Sequence, residues 1–192
     1  VGSEMCIRDS PNNPKKRYKV MTSEMPKNGE LSLEMMYQTC GTQINLDYTS
    51  EQDFIKKFKV ISYLTPLTIA LFSNSAIKKS KPTGFLSYRS KVWQNTSRGG
   101  LPKIFLENMD FEKYADFSLD FKLLFLHDNN EYISPDGKSF RDLMKEGKAN
   151  YENFQLHLST IFTEVRLKKY IELRSIDACE WDCHCAGPAF FI

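Results

Sequence analysis

Glu172 and Arg174 stand two residues apart in "KKYIELRSID", with Arg166, Lys168 and Lys169 close before them. On an extended strand successive side chains alternate, so Tyr170, Glu172 and Arg174 share one face while Ile171 and Leu173 take the other. An acid and a base then leave rigid backbone side by side. The stretch "MMYQTCGTQINLDY" repeats the pattern. Met36, Gln38, Cys40, Thr42, Ile44, Leu46 and Tyr48 form a mostly apolar row; Tyr37, Thr39, Gly41, Gln43, Asn45 and Asp47 form a hydrogen-bonding one. A carboxylate suits a divalent cation, a guanidinium suits a phosphoryl oxygen, and neutral amides suit orientation, which together are the parts of phosphoryl transfer. A polar row also serves as a plain solvated face, and spacing alone does not separate the two readings. No P-loop and no G-x-G-x-x-G turn occurs, so any nucleotide must be held by another arrangement.

The cysteines offer a weaker motif. "CEWDCHC" places Cys179, Cys183, His184 and Cys185 together, yet Cys183, His184 and Cys185 are adjacent rather than in C-x2-C spacing, and no second ligand pair lies elsewhere. Reduced thiols are the expectation.

These side chains need elements to position them. The alternation predicts a strand from Met36 to Tyr48, where Gly41 suggests a bulge or a close approach by another group. A helix follows, capped by Thr49 or Ser50, with Glu51 and Asp53 at its positive end and Phe54, Phe58, Ile61 and Phe72 at helical spacing. Pro66 should kink or split it. "SKPTGFLSYRSKVWQNT" reads as a loop feeding a short helical segment, and "DFEKYADFSLDF" as a helix. "KLLFLHDNNEYISPDG" reads as a hairpin around Asn129 and Asn130, with helices in "SFRDLMKEG" and "YENFQLHLSTIF". A second strand carries Glu172 and Arg174. The class is α+β with an antiparallel sheet.

The chain has 192 residues, 41% hydrophobic and 26% charged, with a formal net charge of +2. That composition allows one domain with a sizeable core, and its balance gives no push toward nucleic acid. The longest apolar run, "YLTPLTIALF", is short of the ~18 residues that cross a bilayer and is interrupted by Pro66. A cytoplasmic setting is expected. The opening decapeptide Val1–Ser10 has no period and resembles a translated sequencing-library adapter, so it is set apart, Cys6 included.

Several separated motifs agree on one family. "KKRYKVM", "MPKNGELSLEMMYQTCGTQINLD", "KPTGFLSYRSKVW", "STIFTEVRLKKYIELRSIDACEW" and "CAGPAFF", in that order, resemble glutamate–cysteine ligase of the plant and proteobacterial type. The resemblance covers essentially everything after the decapeptide. It implies a glutamine-synthetase-like fold, an antiparallel sheet curled into a funnel, present here incompletely. It implies ATP and Mg2+, with L-glutamate and L-cysteine as substrates: the γ-carboxylate is activated as γ-glutamyl phosphate, then taken by the cysteine amine, the first step of glutathione synthesis.

By position in those motifs, Arg17 and Arg89 should hold glutamate, with Trp93 packing beside Arg89. Gln43 should face the metal and phosphates with Asn45 next to it, Arg166 should contact phosphate, Glu172 should bind magnesium, and Arg174 should stabilise the transferring phosphoryl group. The family's other metal-binding carboxylates sit in a Glu-rich motif not found here. Cys185 fits one position of the plant regulatory disulfides, without its partner. The resemblance therefore implies that residues 11–192 are a partial catalytic domain, truncated at both ends and inactive alone. Another carboxylate–amine ligase of the same superfold, or a non-catalytic ligand-binding relative, stays open as the alternative.

Overall fold

The computed structural model describes residues 15–128 and 131–192. The decapeptide Val1–Ser10, expected to be adapter-derived, lies outside the described residues, as do Asn129 and Asn130.

Three strands form the sheet that matters. β1 (Gly41–Leu46), β6 (Val165–Leu167) and β7 (Ile171–Asp177) are antiparallel in the order β1-β7-β6. Ile44 pairs with Leu173 and Leu46 with Ile171, while Val165 pairs with Leu173 from the other side. This row lies on α3 (Glu51–Leu71), where Phe54, Phe58 and Ile61 join Ile44, Val165, Ile171, Leu173 and Ile176 in one core. Phe54 and Phe58 are fully buried, each stabilising the fold by about 2–3 kcal/mol. The opposite face carries the polar residues: Asn45 is registered on Glu172, and Glu172 on Arg166.

The register shifts between Thr42 and Ile44, which pair with Ile176 and Leu173. One residue, Gln43, thus stands opposite two, Arg174 and Ser175. Such a bulge reverses side-chain parity downstream. Ile176 returns to the core, and Asp177, opposite Gly41, joins the polar face.

Helices stand against part of that face, where Trp93 lies over Arg174. α1 (Lys16–Glu24), a 3-10 turn (Met25–Asn28), α2 (Ser32–Tyr37) and α4 (Tyr88–Gln94) contribute Met21, Met25, Met35, Val92 and Trp93 to a second core. Between α3 and α4 runs a small hairpin, β2 (Ile77–Lys78) with β3 (Lys81–Pro82). A third cluster joins α5 (Phe111–Asp120), the hairpin β4 (Leu126–Asp128) and β5 (Glu131–Ile133), α6 (Phe140–Lys145) and α7 (Tyr151–Leu158) through Leu119, Leu123, Phe140, Leu143 and Phe154. α8 (Ala186–Phe191) touches β1, with Gly187 against Ile176 and Ile44.

The α+β class and antiparallel sheet are as expected. The strand expected from Met36 begins only at Gly41, because Met35 and Met36 pack with the second core as part of α2. α3 runs through Pro66 without splitting. The helix survives because Phe54, Phe58, Ile61, Thr65 and Thr68 bury one face along its length, outweighing the hydrogen bond that proline removes. α1, α8, β6 and the β2–β3 hairpin carried too short a pattern to be read. No described helix is long and apolar enough to cross a membrane.

Candidate active site

The polar face of β7 is built around Glu172, which is 2% exposed. Its Oε2 accepts from Arg166 Nε at 2.9 Å and Arg174 Nη1 at 3.0 Å, and its Oε1 accepts from Lys168 Nζ at 2.7 Å. Burial raises the carboxyl's pKa, but Lys168, Arg166 and Arg174 outweigh it and hold it down to about 2. The carboxylate thereby gathers three cations, and the group keeps an excess of positive charge.

Arg166, expected at the cofactor, is largely committed to the protein: beyond Glu172, its Nη1 donates to Ser159 O and Ile161 O, each at 3.1 Å. Lys168 is the most open of the three cations. Arg174 lies with its guanidinium carbon 5.1 Å from the Trp93 ring centre, and its Nε is buried without a hydrogen-bond partner. Burial first, then Arg166 and Arg89, depress its pKa against the pull of Glu172.

Arg89 reaches the same place from α4. Its guanidinium sits 5.5 Å from the Trp93 ring centre, and its Nη2 donates to the backbone carbonyl of Arg174 at 2.6 Å. Gly41 explains how it fits. A Cβ there would lie 2.6 Å from Arg89 Nε, so the expected close approach to this glycine is made by Arg89. Burial lowers the Arg89 pKa, opposed by Glu164, Asp177 and Cys40.

Gln43 and Asn45 are exposed on the face that carries Glu172 and Arg174. Arg17 stands on α1, its guanidinium 5.2 Å from the Tyr18 ring centre, with Nε buried and unpartnered. No hydrogen bond or ion pair among the described residues joins it to Arg89 or the sheet. The structure thus gathers Gln43, Asn45, Arg89, Arg166, Glu172 and Arg174 on or against one sheet face, and carries Arg17 on α1.

Two carboxylates escaped sequence reasoning. Glu164 is 4% exposed, and its Oε1 has no hydrogen-bond partner. Burial raises its pKa, with Arg89 and Arg174 pulling the other way. Asp177 lies beside Arg89 at the end of β7. The signal for Asp177 was the apolar spacing 171, 173, 176, which breaks period 2 and marks a bulge; Glu164 gave none.

A magnesium site does not fit the described residues. No group of three His, Cys, Asp or Glu among them is arranged to hold a metal, and both Glu172 oxygens already face cations. Cys179, Cys183 and Cys185 are free thiols. A polyanion fits better, since Lys168 and Arg174 offer an ammonium and a guanidinium beside exposed amides.

Comparison with known proteins identifies the family. Residues 6–192 match the model of glutamate-cysteine ligase family 2 (GCS2). The chain is 44% identical over 197 residues to glutamate–cysteine ligase B, chloroplastic, of Oryza sativa subsp. japonica, covering 97% of this chain and 40% of that protein. It is 43% identical to the chloroplastic glutamate–cysteine ligases of Nicotiana tabacum and Arabidopsis thaliana, covering 38% and 37% of their lengths. The chain therefore spans about 40% of the length of the curated relatives it matches. With an arginine-lined face on an antiparallel sheet and a family match over nearly its whole length, this chain belongs to glutamate-cysteine ligase family 2.

Proposed function

We propose that this chain forms part of the catalytic face of an ATP-dependent ligase joining the γ-carboxylate of L-glutamate to the amine of L-cysteine, the first step of glutathione synthesis. One observation carries the reading: Arg89, Arg174, Glu172, Gln43 and Asn45, from one helix and two strands, meet on a single sheet face. Arginines bind carboxylates and phosphoryl oxygens in planar, directional pairs, as the acyl donor and its activating group require. ATP, when bound, supplies the phosphoryl group that turns a carboxylate into an acyl donor; Lys168 and Arg174 are the cations set to meet its phosphates. Arg89 is assigned to the glutamate carboxylate, and Arg17 to the border of that site. Residues 11–192 are read as a partial catalytic domain, and the three strands as part of a glutamine-synthetase-like sheet. The family match and the fraction of the relatives covered support both readings. The expected cytoplasmic setting belongs to the same proposal, although these relatives are named chloroplastic.

The test is the full-length protein containing this chain, assayed for γ-glutamylcysteine and ADP with cysteine and with a panel of other amines. Equal turnover of all amines would replace cysteine as the acceptor. Arg174→Lys should lower kcat about 100-fold, since a point charge replaces a directional fork at the developing charge. An unchanged kcat would remove Arg174 from the chemistry.

A further inference from the structure

We propose that Asp177 is a positioning residue: it sets Arg89 for a ligand carboxylate while being held back from occupying the guanidinium itself. The inference rests on Arg89 being the carboxylate-binding arginine of the proposed reaction.

Asp177 is 2% exposed, and its oxygens are already taken. Oδ2 accepts from the backbone N–H of Asn74 at 2.8 Å and from Ser75 Oγ at 2.6 Å; Oδ1 accepts from Ser87 Oγ at 3.0 Å. Each serine passes the constraint on. Ser75 Oγ accepts the backbone N–H of Arg89 at 3.1 Å, and Ser87 Oγ caps α4 by accepting from Ser90 N–H at 3.2 Å. One buried carboxylate thus orients two hydroxyls whose lone pairs fix the turn from which Arg89 departs.

The guanidinium is held on several sides, and buried Glu164 acts on its charge together with Asp177. Nη2 is bound to Arg174 O, the Trp93 ring lies on one flank, and Gly41 leaves room on another. Nη1 remains. It is 3.9 Å from Asp177 Oδ1, beyond hydrogen-bond reach, and has no hydrogen-bond partner. A buried aspartate and arginine ordinarily close to about 2.8 Å, often bidentately. Here three donors hold the carboxylate back, so Arg89 keeps a neutralising neighbour and a free N–H. An unsatisfied buried donor is costly, and its natural complement is an incoming carboxylate.

The test uses the isotope-labelled full-length protein containing this chain, with L-glutamate as probe and the Arg89 side-chain N–H signals as a local readout. Asp177→Asn should weaken glutamate binding at least about tenfold and release the Arg89 signals into fast exchange, with circular dichroism unchanged. Ser87→Ala keeps the carboxylate but frees Oδ1, the oxygen 3.9 Å from Nη1, to close on it. It should also weaken glutamate about fivefold, while shifting the Arg89 Nη1 protons downfield. A purely structural role for Asp177 predicts no such downfield shift. Glutamate affinity and Arg89 signals within twofold of wild type in both variants would overturn the proposal. If Asp177→Asn fails to fold, Ser87→Ala carries the same decision. If the wild-type full-length protein takes up no glutamate, the substrate reading fails, and the Arg89 spectra of the variants still decide the positioning role.

Discussion

Glu172 shows how much one side chain organises. Its pKa lies near 2 against an ordinary 4.5, so the folded state favours the carboxylate. The contribution is full above pH 4.5 and is lost as pH falls toward 2; the unfolded chain then binds the proton more readily. The shift corresponds to up to about 3 kcal/mol. Glu172→Gln should cost about 3 kcal/mol at neutral pH, leaving Arg166, Lys168 and Arg174 without their common partner, and should flatten acid unfolding below pH 4.5. Urea melts of both proteins between pH 2 and 7 would show it. Gly41 makes a second demand. Gly41→Ala places a methyl 2.6 Å from Arg89 Nε, so the guanidinium must leave its seat or the strand must move. The expected cost is about 1–3 kcal/mol in thermal unfolding, together with weaker glutamate binding.

At the scale of elements, α5 and α7 are joined through one imidazole. His157, on α7, is 1% exposed, and its Nε2 is 2.7 Å from the carbonyl of Ser118 on α5, so the neutral ring donates from Nε2. Burial lowers its pKa to about 4, with the Ser118 bond opposing and nearby Arg98 reinforcing the shift. Folding therefore favours the neutral form. Stability is full above pH 6.5 and declines as pH falls from 6.5 to 4, by up to about 3 kcal/mol. His157→Gln should remove this slope while leaving the loss below pH 4.5 to Glu172; hydrogen exchange of the α7 amides would localise it. Arg98 secures the next segment, donating to Thr160 O at 2.8 Å and to Lys122 O at 2.6 Å, and so holds the stretch that delivers Glu164 to β6.

For the molecule as a whole, the described sheet has only three strands, with β1 and β6 at its edges. The solvent side of α3 adds Val60, Tyr63, Leu67 and Leu71, all about half exposed or more, at helical spacing. Open edges and an apolar stripe favour association. The 192-residue chain should self-associate at micromolar concentration, and Tyr63→Lys with Leu67→Lys should reduce light scattering severalfold without changing the thermal midpoint by more than a few degrees. A monodisperse wild-type monomer would contradict this.

Much of this molecule was legible in the order of its residues. Alternation placed Glu172 and Arg174 on one face of a strand and Gln43 and Asn45 on another, because side-chain direction along extended backbone depends on local geometry alone. Helical spacing of Phe54, Phe58 and Ile61 located α3 for the same reason. Tertiary structure decided what no local rule contains. A bulge turned Asp177 onto the polar face, packing kept α3 whole through Pro66, and the second core took Met36 from a strand into α2. It also set three cations on Glu172 and seated Arg89 against Gly41. Those outcomes depend on contacts between residues far apart in sequence, Gly41 with Asp177 among them, whose balance of burial, charge and hydrogen bonding exists only once the chain has closed on itself.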